Sequence, residues 1–566
     1  MKSIDNRVVL FSILSCAICL GYFQTLDLMG FSTNEFRPIF RYLLVVKDSN
    51  VCWFVAAISI AAAFWRYPGP VLKVIDACAA HPLRVAFVTI AILALGAVFV
   101  YQQYPLAMDE YAAVFQSKIF AHGRIFARLP PSVVDWLVMP GFNGAFLIAS
   151  RETGEAISQY WPGFALLLAP FQLLSVPWLC NPLLAGLAIY LMYSITLEIT
   201  GDRRSAAWAM LFGLASSAFI ANAISYYSMQ AHLTLNLLFV RILLRPTMAR
   251  TFVAGVVGSF ALVLHNPVPH TLFATPWILA LVLRPDQRRL FVPLVAGYLP
   301  GIILLGYGWL YLRTTITGEP SAAYVMSGTA DGVLTIPDFA VISMRIAGLA
   351  KMWVWAVPGL YVLALAGRLE RGRDPAVRLL SLSAVVTFCG YLVVVLDQGH
   401  GWGFRYFHSA FGVIPILAGC AMTGKAESNP RLVAFAGAAT VLSMLLLVPI
   451  QMTQIHGFIA RHLAQIPPPL KPGNHVYFLQ PSGPGYMADM VQIDPFLRDP
   501  DLLLISRGWA SDAELMRQNW PNAIKVYAGR WVDEWYLGPK DQRRSTPGTS
   551  DAPHFVVSFA PDKSPP

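Results

Sequence analysis

Fourteen apolar runs lie between residues 8 and 451, most of them near the length of about 20 residues that a helix needs to cross a bilayer. They fall at 8–24, 50–65, 85–103, 160–178, 181–199, 206–224, 228–244, 252–266, 270–284, 290–311, 346–366, 376–396, 407–424 and 431–451. A chain built this way has too little polar sequence to wet a globular surface. Only 13% of its 566 residues are charged, and mean hydropathy is +0.56, so lipid must be the solvent for much of it. The net charge of +10 does not point to nucleic acid, because the basic residues sit in short clusters between the apolar runs.

Those clusters orient the chain. Arg66 to Lys73 with Arg84, Arg284 to Arg289, Arg368 to Arg378, and Lys425 to Arg431 read as cytoplasmic loops. Residues 104–158, 312–342, about 397–406 and the tail from about 452 then lie outside, and the N-terminus inside. The outside segments carry Asp109, Glu110, Asp331, Asp397 and Arg405. The first run follows Lys2 and Arg7 without a small-residue cleavage site, so it reads as a retained helix. Seven runs separate the first two outside loops, where an even number of crossings is required. The pair 252–266 and 270–284, broken by HNPVPH at 265–270, is the first suspect.

The expected architecture is an all-α polytopic membrane protein of about 13 transmembrane helices with a small C-terminal α/β extracytoplasmic domain. Residues 1–84 hold two N-terminal helices, 85–451 a transmembrane core, and 452–566 the outside domain. In that domain HVYFLQ (475–480), DLLLISR (501–507), AIKVYAG (523–529) and HFVVSFA (554–560) read as strands. ASDAELMRQNWP (510–521) reads as a helix capped by Ser or Asp and stopped by Pro521.

Seven cysteines, six of them in or beside apolar runs, give neither a disulfide framework nor a zinc-type spacing. Cys16 and Cys19 form a CxxC inside an apolar helix, where packing explains them. No Gly-rich loop after a strand, Walker pattern or DxD in a soluble domain offers a nucleotide-sugar site. Asp286 and Asp374 sit in basic inside loops as solvated charges.

Three segments carry candidate chemistry. In YQQYPLAMDEYAAVFQSKIFAHGRIF (101–126), Asp109 and Glu110 follow closely on the outer end of a span. Tyr111, Val114, Phe115, Lys118 and Ile119 then recur at helical spacing, as in a helix lying along the membrane surface, which ends at His122-Gly123-Arg124. The acids could face a polar cavity or merely cap that helix. In ISQYWPGFALLLAPF, Pro162-Gly163 marks where an outside loop meets the membrane. In LDQGHGWGFRYFHSAFG, Gly399, Gly401 and Gly403 loosen a loop beside His400, Trp402, Arg405, Tyr406 and His408. Arg405 could bind phosphate through its planar fork or snorkel as an interfacial anchor.

Together these segments resemble the GT-C superfamily of membrane glycosyltransferases, closest to its bacterial branch of protein O-mannosyltransferases and lipid A aminoarabinose transferases. The likeness spans roughly 85–424 and rests on order: MDEYAAVFQSKIFAHG, then YWPGFALLLAPF, then the Tyr-rich SYYSMQAHLTLNLLFVRILLR (225–245), then GFRYF (403–407). The two N-terminal spans and the C-terminal domain lie outside it.

The resemblance implies a bacterial inner (plasma) membrane enzyme that takes a sugar from a polyprenyl-phosphate donor to an acceptor hydroxyl on the outer face. The acceptor would be a glycan, a lipid or a protein, and nucleic acid would not be a partner. Asp109 would be the general base, with Glu110 beside it, and the anomeric centre would invert. Arg405 is the leading cation for the leaving phosphate, with Lys118, Arg124, His265, His270 and Lys351 behind it. Tyr111, Tyr160, Trp161, Tyr406, His400 and His408 are candidates for the cavity and acceptor site. No cofactor signature is readable, though a divalent metal fits the need to stabilise leaving-group charge. The sequence departs from the pattern where many relatives place a basic residue soon after the acids, and HNPVPH stands where a Lys or Arg would suit a phosphate better. A transporter or flippase of a lipid-linked sugar is the rival reading. It would call for ionisable groups at mid-membrane in matched halves, which the sequence does not show. A third reading is a non-catalytic relative that only binds the polyprenyl lipid.

Overall fold

A computed structural model describes residues 3–30, 41–317, 336–394 and 401–539. Among these, seven helices are long and apolar enough to cross a membrane: Arg7–Leu28, Leu43–Phe64, Pro82–Phe99, Pro177–Thr200, Arg288–Thr317, Pro375–Leu392 and Pro430–Leu463. Their outward faces expose Phe64, Phe87, Leu304 and Leu445. In water such a surface would aggregate, whereas lipid tails match it. The chain is a multi-pass membrane protein, mostly helical. Four shorter apolar helices, Gly163–Leu173, Met229–Leu243, Met248–Leu262 and Val268–Leu283, pack among the long ones.

Several expected runs are broken. The run 206–224 becomes Arg203–Leu214 and Ser217–Ala223, bent by 67°. The run 346–366 becomes Phe339–Val354 and Leu360–Glu370, because Pro358 and Gly359, the latter at φ +83°, end one helix and cap the next. The stretch 407–424 becomes Arg405–Phe411 and Val413–Ala421. The last run does not stop at 451 but continues to Leu463. The basic loop after Arg66 holds a short helix, Gly69–Ala80. The HNPVPH break does interrupt the helices on either side, Met248–Leu262 and Val268–Leu283.

Residues 104–158 contain a three-stranded antiparallel sheet that the sequence did not suggest. It is formed by β1 (Ala127–Arg128), β2 (Leu147–Ala149) and β3 (Glu155–Ser158), in order β1-β3-β2. The C-terminal region forms a second sheet in order β5-β4-β7-β6, from β4 (Asn474–Leu479), β5 (Leu502–Ile505), β6 (Ile524–Ala528) and β7 (Val532–Gly538). β4 pairs parallel to β5 and antiparallel to β7. Three of these strands and the helix Trp509–Asn519 fall where expected. β7 went unread, and the stretch 554–560 lies outside the described residues. That helix begins after Gly508 at φ +99°, and Asp512 in its first turn accepts from the Arg507 amide at 2.9 Å.

Candidate active site

The acid pair opens a helix, Met108–Ala121, whose N-cap is Ala107 and has no polar side chain to offer. Glu110 does that work from inside the first turn. Its Oε2 accepts from the amides of Leu106 at 2.9 Å and Ala107 at 3.3 Å, satisfying donors that a helix start otherwise leaves open. Its Oε1 accepts from Tyr101 Oη at 2.8 Å and from the Tyr226 amide at 2.8 Å. Glu110 is fully buried, and burial pushes its pKa up to about 7 against the pull of these donors. It ties the helix to the segment 225–227 and does not line the cavity beside Asp109.

One residue earlier on the helix, Asp109 points the other way. Its Oδ2 accepts from Arg405 Nη1 at 2.7 Å, and its Oδ1 accepts from the Tyr160 hydroxyl. Burial pushes the Asp109 pKa up, but Arg405 and the Tyr160 hydroxyl outweigh it and hold the carboxyl below its ordinary value. Asp109 is therefore ionised at neutral pH. The Tyr160 ring lies on His265 with centroids 3.9 Å apart, and the Arg405 guanidinium sits 4.6 Å over the Tyr227 ring.

Asp109, Tyr227 and Arg405 line two spaces at once. On the bundle side, a crevice among Tyr160, Trp161, Phe164, His265 and Met229 has about 10 Å³ of room, enough for about one water. On the side of the C-terminal region, a cavity of about 310 Å³ is walled by Leu43, Phe142, Trp402, Phe458, Tyr486 and Asp489 among others. That is the lower end of the size range of small-molecule sites.

Two sequence motifs that read as unrelated prove to be bonded to each other. The carbonyls freed by the HNPVPH break are taken up by the segment after Tyr160. Val263 O accepts from Gly163 N at 2.8 Å, Leu264 O from Phe164 N at 3.0 Å, and His265 O from Trp161 N at 3.1 Å. Non-helical backbone survives there because protein covers it and fills its hydrogen bonds. Gly163 permits the contact, since a Cβ on it would lie 2.7 Å from Val263 O. This junction seats Tyr160 and His265 beside Asp109.

Arg405 is set by the loop that precedes its helix. Gly401 O accepts from Lys351 Nζ at 3.0 Å, and Trp402 O accepts from Gln451 Nε2 at 2.7 Å. Lys351 also meets Asp48 Oδ2 at 2.7 Å, while Trp355 Nε1 donates to Asp48 Oδ1 at 2.8 Å. Lys351 thus faces a buried carboxylate and the loop instead of the cavity.

Other expected site residues also have partners elsewhere. Lys118 pairs with Asp494 at 3.6 Å, Arg124 lies 5.4 Å over the Phe496 ring, and Tyr111 donates to Ile493 O at 2.6 Å. All three face the C-terminal region, so the helix read as lying on the membrane surface is covered instead. His270 bonds Asn236 Oδ1 at 2.7 Å and Tyr298 Oη at 2.6 Å inside the bundle. His408 bonds Gln230 Oε1 at 3.2 Å, and Tyr406 stacks on Tyr391 at 4.7 Å. His400 lies outside the described residues. Asp109, Arg405, Tyr160, Trp161 and His265 are the expected residues that the fold brings together. Tyr227 and Asp489 were missed. Tyr227 had a signal in the Tyr-rich segment, whereas Asp489 had none.

Among the described residues, no three of His, Cys, Asp and Glu gather as a metal ion would require.

No family model matches the chain, and no curated protein matches it. Among solved structures, it is similar to ArnT from Cupriavidus metallidurans bound to undecaprenyl phosphate, at 12% identity and a TM-score of 0.49, over 80% of this chain and 98% of that one. The same protein in the apo state gives 13% identity and a TM-score of 0.48 over the same shares. The Archaeoglobus fulgidus oligosaccharyltransferase in complex with zinc and sulfate gives 14% and 0.40, over 67% of this chain and 55% of that one.

Proposed function

We propose that this protein is a membrane glycosyltransferase that moves a sugar from a polyprenyl-phosphate donor to an acceptor hydroxyl on the extracytoplasmic face. The observation that carries the reading is the Asp109 carboxylate, ionised and held between Arg405 and Tyr160 at the wall of a 310 Å³ cavity. The order of the Asp-Glu, Pro-Gly and Arg-Tyr segments along the chain supports it as well. The reading goes with about 13 crossings, a cytoplasmic N-terminus and a C-terminal domain outside, in a bacterial plasma membrane.

The chemistry follows from the groups present. An acceptor hydroxyl in the cavity gives its proton to Asp109, and its oxygen forms a bond to the anomeric carbon. The bond from that carbon to the phosphate oxygen breaks, and the polyprenyl phosphate leaves with the electron pair. Arg405 offers two-pronged donors for the charge that builds on that phosphate. Displacement in one step inverts the anomeric centre. Arg405 is engaged with Asp109 in this state, so its move toward a phosphate would at the same time release Asp109 to act as base.

The test is a strain lacking this protein, profiled for polyprenyl-phosphate sugars and complemented with wild type or Asp109→Asn. The deletion should accumulate one such lipid-linked sugar, and wild type should clear it. D109N should leave the lipid accumulated, with transfer down about 10²- to 10⁴-fold, while still binding polyprenyl phosphate. Clearance by D109N at the wild-type rate would remove Asp109 as the base.

A further inference from the structure

One stretch of the C-terminal region runs the length of the acid-bearing helix, Met108–Ala121. At its near end, Asp489 Oδ2 accepts from the Met108 amide at 3.2 Å. Gln492 Nε2 then donates to Pro105 O at 2.6 Å, and Ile493 O accepts from Tyr111 Oη at 2.6 Å. Asp494 pairs with Lys118 at 3.6 Å. At the far end Phe496 packs on His122 with centroids 4.5 Å apart, and Arg498 Nη1 meets His122 Nε2 at 2.8 Å. Six contacts from 489 to 498 follow the chain from Pro105, just before the helix, to its C-cap His122. The other end of the stretch is pinned to the membrane bundle, where Gly485 O accepts from His462 Nδ1 at 2.9 Å.

The first of these contacts is chemically distinct. The N-cap Ala107 side chain offers no oxygen, and at the helix start Glu110 takes the amides of Leu106 and Ala107 but not that of Met108. The amide of Met108, next in the chain to Asp109, is left to Asp489. A carboxylate on the open amides of a helix start is favoured both by the hydrogen bond and by the helix dipole. Here the cap is supplied by a residue 381 positions away, and it also lines the larger cavity.

We infer that the stretch 485–498 is a strap by which the C-terminal region completes the active site, and that Asp489 is a positioning residue that holds Asp109 in register through the Met108 amide. The inference rests on the glycosyltransferase reading above. It gives the C-terminal region a role in the transfer step itself. It also accounts for Tyr111, Lys118 and Arg124, whose side chains meet the strap and not the cavity.

The test uses the full chain in the same complementation assay, with purified protein checked for monodispersity and for binding of a polyprenyl monophosphate. Asp489→Ala removes the acceptor and should slow clearance of the lipid-linked sugar about 10- to 100-fold, as misplacement of a base does, with polyprenyl phosphate binding unchanged. Asp489→Asn keeps an oxygen that accepts from Met108 and should recover transfer to within about threefold of wild type. A variant from the other partner guards against a D489A chain that fails to fold. Met108→Pro deletes the amide donor while suiting the first helical position, since Ala107 before it is already extended at φ −121° and ψ 159°. M108P should be impaired like D489A, and the double variant no worse than either. Wild-type transfer by D489A or M108P overturns the inference, and so does D489N as impaired as D489A. If the deletion strain accumulates no polyprenyl-phosphate sugar, the glycosyltransferase reading falls instead. D109N inactive beside a fully active D489A sinks only the strap.

Discussion

Arg405 reaches Asp109 across 296 positions of sequence and closes on it at 2.7 Å, Nη1 to Oδ2. The pair brings the helix Arg405–Phe411 onto the start of the helix Met108–Ala121. It also sets the charge state of the carboxylate. Burial alone would favour the neutral acid, and Arg405 is the main influence opposing it. Asp109 has a depressed pKa, so it stays ionised as pH falls until that lowered value is reached. Arg405→Gln should move the acid limb of the pH-rate profile to higher pH. Loss of a charged hydrogen bond of about 1.5–3 kcal/mol should also weaken donor use by about 10- to 150-fold. Arg405→Lys should restore the position of the acid limb better than it restores donor use, because a lysine keeps the charge but not the planar fork. A pH-rate series on the three proteins checks this, and an unmoved acid limb in R405Q would remove Arg405 as the group that tunes Asp109.

Glu110 behaves as a clamp. Both of its oxygens accept, from four donors on three segments. Glu110→Gln turns one oxygen into a donor, which must face another N–H. The expected loss is about 1–3 kcal/mol of stability, read as a lower thermal midpoint in detergent. The pH dependence has a definite sign. The folded pKa is raised from 4.5 to about 7, so the contribution is fully present below 4.5 and is lost as pH rises through about 7. Thermal midpoints of wild type should fall over that window, and those of E110Q should change less.

Gly163 predicts a different kind of failure. An alanine there places its Cβ 2.7 Å from Val263 O and 2.9 Å from Val263 C, and a backbone cannot rotate away as a side chain could. Gly163→Ala should cost about 1–3 kcal/mol and spread the contact between Tyr160 and His265. A lower thermal midpoint together with reduced transfer is the expected pattern. A fully stable, fully active G163A would show that the junction between the two motifs is slack.

Lys351 and Asp48 form a fully buried ion pair at 2.7 Å. Removing one partner strands the other. Lys351→Met should destabilise by about 3–5 kcal/mol, whereas Lys351→Met with Asp48→Asn should recover most of it. Thermal unfolding and transfer by the single and double variants separate this from a role in phosphate binding, for which the double variant would stay as inactive as the single.

Periodicity and composition made much of this protein readable. Long apolar runs have one physical outcome, because backbone polar groups in lipid must bond within their own helix. The Asp-Glu pair, Tyr160 and the late Arg405 were legible as chemistry because charges and polar rings beside a span are costly without a task. Strands β4, β5 and β6 were legible from alternation and turn residues. β7 was not, since VDEWYLG carries two acids within its first three residues and earns its place only by pairing with β4 and β6.

Sequence by itself determined that the chain lives in a membrane, and which residues beside its spans carry charge or aromatic character. Only the tertiary structure decided which of them meet. Arg405 joined Asp109, while Lys118 and Arg124, closer in sequence and equally basic, turned to the strap at 494–496. Tyr227 came under Arg405, and Asp489 came to the helix start, from segments with no local sign of either role. The physical reason is that a side chain's charge is a local property, whereas its partner is chosen by the packing of distant helices.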